Sequence, residues 1–246
     1  HSSVLSILKI AGALGKDQNI KVYVVGGFVR DLIMGRELND IDIMIVGEGI
    51  PFARKLADEL GLKKIIPFEK FGTAIIPNRE IQIEVATARK ENYSDDSRKP
   101  SEIIYTDLQG DLLRRDFTIN AMAMDLHPDS FGFLTDPFGG VLDIENKILQ
   151  TPLDPDETFS EDPLRMMRAA YFISKLGFNL EKSTRASIKR QASRIEIVSA
   201  ERIRDEFIKI LSTKKPSIGL TLLQKTGLMK MVFPEIDVMY GMEQTS

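Results

Sequence analysis

The stretch KVYVVGGFVRDLIMGRELNDIDIMIV, residues 21–46, decides how this chain folds. Lys21–Val25 is rich in β-branched residues and reads as a strand that stops at the pair Gly26-Gly27. Phe28–Met34 reads as a short helix, ended by Gly35. Ile41–Val46 alternates as a second strand. Working outward, Val4–Leu14 has helical spacing. Pro51–Leu60 opens on proline and closes at Gly61, as helices do. Three further short strands follow at Lys64–Phe68, Thr73–Ile76 and Ile81–Ala86, the last two separated by the turn Pro77-Asn78-Arg79.

Beyond this the pattern changes. Residues 91–100, ENYSDDSRKP, are polar and highly charged and read as a mobile loop. After Asp136-Pro137-Phe138-Gly139-Gly140 the strand signal fades. From Asp162 onward apolar residues recur at helical spacing (Leu164, Met167, Ala170 and Tyr171, then Ile203, Phe207, Ile210 and Leu211). Gly177, Pro216 and Gly227 divide this run into about four helices. The expected class is α+β: a small mixed sheet flanked by helices over residues 1–150, then a helical part over 151–246.

Composition narrows the chemistry. With 246 residues and 43% hydrophobic content, two compact units are the natural expectation. A net charge of −3 gives no overall attraction to nucleic acid, so any RNA contact must come from local basic patches. There is no cysteine, which excludes disulfides, thiolate zinc sites and cysteine nucleophiles and fits a reducing, cytoplasmic setting. Of the two histidines, His1 beside Ser2-Ser3 looks like an expression remnant, and His127 lies in a turn-like HPDS segment unsuited to a triad. No apolar run approaches the roughly 20 residues a membrane span needs. Chemistry must therefore run on carboxylates, guanidiniums, amines, hydroxyls and backbone.

The carboxylates stand out first. On a strand, residues two apart share a face, so Asp40 and Asp42 project together, opposite Ile41, Ile43 and Ile45. Two acids on one face repel unless a divalent cation or protons lie between them, and hard oxygen donors suit magnesium. Glu84, set opposite Ile81, Ile83 and Val85, is the candidate third acid. The plain alternative is a pair of solvent-facing strand residues. Gly26 and Gly27, at the start of a helix, leave backbone N–H groups open to a phosphate, or simply make a tight turn. No full dinucleotide-binding glycine pattern is present. In Arg114-Arg115-Asp116-Phe117-Thr118-Ile119-Asn120, Arg115 can fork onto a triphosphate and Asp116 can orient it or meet a ribose hydroxyl; a surface salt bridge is the alternative. Asp162 and Arg165 share a helical face, where they can read a base edge or serve as an N-cap with an ion pair.

Together the stretches VVGGFVRDLIMGRELNDIDIMIVG, IQIEVATAR, RRDFTINAMAMDL, DPFGGVLDIENKILQT, EDPLRMMRAAYF and SAERIRDEF resemble the class II tRNA nucleotidyltransferase and bacterial poly(A) polymerase family, of the polymerase-β-like superfamily. They occur in the family's order from Val24 to about Gln244. The resemblance implies a nucleotidyltransferase head followed by a helical neck and the start of a body. It implies that Gly26, Gly27 and Arg30 bind the incoming nucleotide's phosphates. Asp40 and Asp42 would hold Mg2+, with Glu84 as the third acid. Arg115, Asp116 and Asn120 would contact triphosphate and ribose. Asp162 and Arg165 would act as an amino-acid template for CTP or ATP, and Arg168 would support the triphosphate or that template. Glu201, Arg202 and Glu206 match the motif that braces the neck, and residues 91–100 match the element that helps such enzymes switch to adenine.

The implied reaction is template-independent addition of C and/or A to the 3′ end of tRNA, by two-metal attack of the RNA 3′-hydroxyl on the α-phosphate. Poly(A) synthesis, a non-catalytic nucleotide- or RNA-binding fragment and a small-molecule nucleotidyltransferase are the rivals. Two features depart from the pattern. Tyr171 stands where many relatives carry an arginine, and relatives continue well past the segment Pro234 to Gln244, so the chain is expected to be either a truncated form or a head-and-neck portion of a longer protein. Oligomeric state is not written in the sequence.

Overall fold

A computed structural model of the chain describes the backbone of residues 2–94 and 97–242 and the side chains of residues 3–88 and 106–242. Contacts gather it into two units, His1–Asn92 with Ser101–Ile144, and Tyr93–Pro100 with Glu145–Ser246. The first contains α1 (Ser2–Asp17), β1 (Lys21–Val25), α2 (Gly27–Ile33), β2 (Asp40–Val46), α3 (Gly49–Glu59), β3 (Ile66–Phe68), β4 (Thr73–Ile76) and β5 (Gln82–Thr87). After the run of β6 (Arg89–Ser94) and β7 (Ser97–Tyr105), it continues through α4 (Leu108–Leu113), β8 (Ala123–Asp125), β9 (Leu134–Thr135) and α5 (Gly140–Asn146).

Seven strands form one sheet in the order β3-β4-β5-β2-β1-β8-β9. β2 and β5 run parallel, and the other pairs run antiparallel. The alternation read in β2 has a direct packing outcome. Ile41, Ile43 and Ile45 are buried in the main core with Ile83 and Val85 of β5, beneath Ile7, Leu8 and Ala11 of α1, Phe28 and Val29 of α2, and Phe52, Ala53 and Leu56 of α3. Truncating one such isoleucine to alanine costs about 2–5 kcal/mol. On the opposite sheet face the described residues form a smaller cluster, in which Leu112 of α4 covers Val25, Met44, Ala88 and Ala123. Met44 therefore lies under cover, while Asp40 and Asp42, four and two residues earlier on the same face, lie beyond that cluster.

The second unit comprises β10 (Ile148–Leu149), α6 (Pro155–Glu161), α7 (Leu164–Leu176), β11 (Asn179–Leu180), α8 (Lys182–Gln191), α9 (Ala200–Leu211), α10 (Pro216–Thr226), α11 (Leu228–Val232) and α12 (Pro234–Asp237). Helix α7 is its centre, with Met166, Met167, Ala169 and Ala170 fully buried. Gly219 lets α10 cross closely: a methyl there would lie 2.7 Å from the Ala170 carbonyl oxygen, and the Gly219 N–H donates to Ser174 Oγ at 2.8 Å.

The α+β class holds, with three differences in detail. Residues 91–100, expected as a loop, fall mostly in β6 and β7, which form their own two-stranded sheet; residues 95 and 96 and the side chains of 89–105 lie outside the described residues. Backbone hydrogen bonds build such a ribbon without the apolar alternation by which a strand is recognised. The second unit is not purely helical, because Ile148 and Leu149 pair in parallel with Asn179 and Leu180. From Asp162 onward there are six helices among the described residues rather than about four; α11 and α12 are five and four residues long, too short to show a period. Among the described residues no helix is long and apolar enough to cross a membrane.

Candidate functional site

The parallel register of β2 and β5 sets Asp42 beside Glu84 and Asp40 beside Gln82. Since Ile41 and Ile43 are buried on the opposite face, the three acids Asp40, Asp42 and Glu84 share one face across two neighbouring strands. Asp42 shows the consequence. Burial, then the charge of Asp40, then that of Glu84 push its carboxyl up to about 7, against the opposing pull of Arg115 and Arg30. Among the described residues no three His, Asp or Glu side chains already form a metal cage.

Gly26 closes β1 beside these acids. Its N–H donates to the Met122 carbonyl at 3.1 Å, and its backbone has φ 68° and ψ −130°, a conformation suited to glycine. A Cβ there would lie 2.6 Å from Arg115 Nη1 and 3.7 Å from Asp42 Oδ2. The absence of a side chain thus lets the backbone, a guanidinium and a carboxylate approach one another. Gly27 begins α2, where a Cβ would lie 3.5 Å from Arg30 Nη2. No side chain caps this helix start.

The remaining predicted residues of this unit meet in a polar network. Arg30, only 3% exposed, forks onto Asp31 through Nε at 2.9 Å and Nη2 at 2.7 Å. Its Nη1 donates to Asn120 Oδ1 at 2.6 Å. Asn120 Nδ2 in turn donates to Asp116 Oδ1 at 3.0 Å, which also accepts the Phe117 N–H at 2.8 Å. Arg30, Asp116 and Asn120 are therefore buried against one another and brace the Gly26 turn from behind. Arg115 is more open. It pairs with Asp111 at 2.8 Å, and its Nη1 donates to the Asn120 carbonyl at 3.4 Å.

Sequence reasoning missed Asp111, Asp31, Asp136 and Asp143. Asp111 was legible, because it precedes Arg114 and Arg115 by three and four residues, the spacing of ion pairs made across one helical turn. Burial alone would raise its carboxyl, yet Arg115 and Arg114, by charge and hydrogen bonds, hold it below the ordinary carboxylate value. Asp136 accepts the N–H groups of Gly140 and Val141 at 2.7 and 2.9 Å and so fixes the start of α5. Asp143 accepts the Thr118 hydroxyl and ties α5 to the turn Thr118–Asn120.

In the second unit, Asp162 and Arg165 stand together at the start of α7 but bond elsewhere. Asp162 Oδ1 accepts the Leu164 N–H at 3.2 Å, a capping contact, and Oδ2 accepts Arg202 Nη2 of α9 at 2.9 Å. Arg165 is buried and donates to the Thr158 carbonyl at 3.1 Å and to Glu161 Oε2 at 3.0 Å. Capping was foreseen; the ion-pair partners are Arg202 and Glu161. Arg202 thus braces Asp162 directly. Glu206 is buried on α9 and accepts Lys209 Nζ at 3.0 Å, while Glu201 is exposed. The Arg168 guanidinium lies 5.6 Å from the Phe172 ring centre, and Tyr171 lies 5.1 Å from the same ring and 5.5 Å from Lys175 Nζ.

Residues 22–150 match the family described as "Poly A polymerase head domain", and residues 177–240 match "Probable RNA and SrmB- binding site of polymerase A". The CCA-adding enzyme of Geobacillus sp. (strain WCH70) is 42% identical over 85% of this chain and 50% of its own length. The A-adding tRNA nucleotidyltransferase of Geobacter sulfurreducens is 34% identical over 94% of this chain and 26% of its own length. A solved CCA-adding enzyme in complex with ATP superposes with a TM-score of 0.82 at 33% identity, over 96% of this chain and 54% of that one. The Thermotoga maritima CCA-adding enzyme complexed with tRNA superposes with a TM-score of 0.82 at 33% identity, over 96% and 53%. The chain spans about half the length of the CCA-adding relatives it matches and a smaller share of the A-adding ones.

Proposed function

The chain belongs to the class II tRNA nucleotidyltransferase and poly(A) polymerase family, and from that premise we propose that it adds C and/or A, drawn from CTP and ATP, to the 3′ end of tRNA without a nucleic-acid template. On this reading residues 1–150 are the nucleotidyltransferase head, residues 151–246 are the neck and the start of the body, and the protein works in the cytoplasm. The observation that carries the reading is the anionic face of Asp40, Asp42 and Glu84 beside the Gly26 turn, with the Arg115 guanidinium against it.

The donor chemistry of that face fits magnesium. Three carboxylates supply hard oxygens, and the raised Asp42 signals too little compensating positive charge. Asp40 and Asp42 would hold the ion, Glu84 would stand as the third acid, and phosphate oxygens would complete the shell, as magnesium sites commonly use few carboxylates together with substrate phosphates. Bound there, the metal supplies charge that activates the RNA 3′-hydroxyl and stabilises the departing pyrophosphate.

The chain's own residues do the rest. Gly26 and Gly27 carry no side chain that would hold a triphosphate away from the start of α2. Arg115 binds phosphate oxygens. Arg30, with the two glycines, serves the phosphates and holds the turn in shape through Asn120, and Asp116 and Asn120 meet the triphosphate and ribose. Asp162, braced by Arg202, and Arg165, braced by Glu161, read the base edge of CTP or ATP, with Arg168 in support.

The test is single-nucleotide extension of tRNAs ending before C, before CC and before A. Incorporation on at least one of these ends is expected, and the pattern assigns CCA, CC or A addition. Binding of ATP or CTP with no incorporation on any end would favour a nucleotide-binding fragment instead. Homopolymeric extension by ATP alone would indicate poly(A) synthesis.

A further inference from the structure

We propose that Asp111 is a positioning residue that holds the Arg115 guanidinium in its nucleotide-binding pose; this rests on reading Arg115 as a triphosphate ligand. The geometry is specific. Asp111 lies in α4 with its side chain 1% exposed, while that of Arg115 is 19% exposed. Its two oxygens are divided between two arginines. Oδ1 accepts Arg114 Nη2 at 2.7 Å and Nε at 3.1 Å. Oδ2 accepts Arg115 Nη2 at 2.8 Å and Nε at 3.2 Å.

Arg115 therefore spends one whole edge of its planar fork, Nε and Nη2, on Asp111. The opposite corner, Nη1, is left to face the Gly26 turn: it lies 2.6 Å from where a Gly26 Cβ would stand, and Asp42 Oδ2 lies 3.7 Å from the same point. A guanidinium anchored by one edge has little rotational freedom, so its Nη1 corner, held otherwise among the described residues only by the 3.4 Å bond to the Asn120 carbonyl, is aimed before any nucleotide arrives. Without the anchor, the nearby acid face would draw the cation onto Asp42, where it would neutralise the acid instead of meeting phosphate. Arg114, held on the other oxygen, keeps the buried carboxylate ionised when a ligand pulls on Arg115.

The alternative is that the pairs merely stabilise the end of α4, and a mutant cycle separates the two. Binding of Mg-ATP would be measured by calorimetry for the wild-type chain, Asp111→Asn, Arg115→Ala and the double variant, with melting followed for each. Asp111→Asn is expected to weaken ATP binding about tenfold, the size of coupling found for directly bonded groups, and to add nothing further in the Arg115→Ala background. An equal loss in both backgrounds overturns the positioning role. If Arg115→Ala weakens binding while Asp111→Asn leaves it within about twofold of wild type, positioning alone falls. If Arg115→Ala itself leaves ATP affinity unchanged, the nucleotide role of Arg115 falls and positioning with it. Should Asp111→Asn not fold, Arg115→Lys decides: it keeps the charge but loses the fork, so binding should weaken about tenfold, and wild-type affinity would overturn the proposal.

Discussion

The start of β2 and the start of α8 both present carboxylates, and the molecule treats them in opposite ways. At α8, Glu181 accepts the Ser183 and Thr184 N–H groups at 2.9 and 2.8 Å and their hydroxyls at 2.6 and 3.1 Å. Burial would raise this acid, but the four bonds bring it down to about 2. Asp156, on α6, is likewise held low, by the Ser187 hydroxyl, Arg190 and Gln191. At β2 burial, and then the facing charges of Asp40 and Glu84, raise Asp42 to about 7. Folding gives acids donors where structure is the purpose. A cluster left in mutual repulsion points to a cation supplied from solution.

Breaking the β2 side of this contrast should have the largest effect. Asp42→Ala or Asp40→Ala is expected to lower nucleotide incorporation by about a thousandfold or more without lowering the melting temperature, because removing either acid relieves repulsion. Single-turnover extension and a thermal melt check both halves. Next in size, Gly26→Ala forces a side chain into φ 68°, ψ −130° and against Arg115; a loss of about 2 kcal/mol in denaturant titration is expected, together with weaker ATP binding. The smallest effect sharpens the α8 side. Glu181→Ala should cost about 1 kcal/mol, the usual value of an N-cap, and leave ATP binding unchanged. Glu181 is lower in the folded than in the unfolded state, so its contribution is present above about 4.5 and is lost as pH falls through about 2. The difference in stability between wild type and variant should shrink over that window.

Much of the sheet was legible because β2 obeys a period of two. Ile41, Ile43 and Ile45 left Asp40 and Asp42 no choice of face. Glu84 could be named as a candidate from its own strand, but its place beside Asp42 depends on the parallel register of β2 and β5, which no local pattern encodes. The partners of Asp162 and Arg165 show the same limit: one is Arg202, forty residues on, and the other is Glu161, one turn back. Arg30 and Asn120 were assigned to phosphate and to triphosphate and ribose by the family resemblance; that they bond each other across ninety residues is a fact of packing. β6 and β7 escaped detection because their sequence lacks the apolar alternation by which a strand is recognised, while pairing needs only backbone groups.

The central claim is that Asp42 lacks sufficient positive charge until a divalent cation arrives. Its value lies above the unfolded 3.8, so the metal-free protein should lose stability from this group as pH rises from about 4 through about 7. The most direct measurement is carbon-detected NMR titration of the Asp42 carboxyl, with and without magnesium. The account predicts a midpoint near 7 without metal that falls by more than about one unit when magnesium is added. A midpoint near the ordinary aspartate value, unmoved by magnesium, would contradict it.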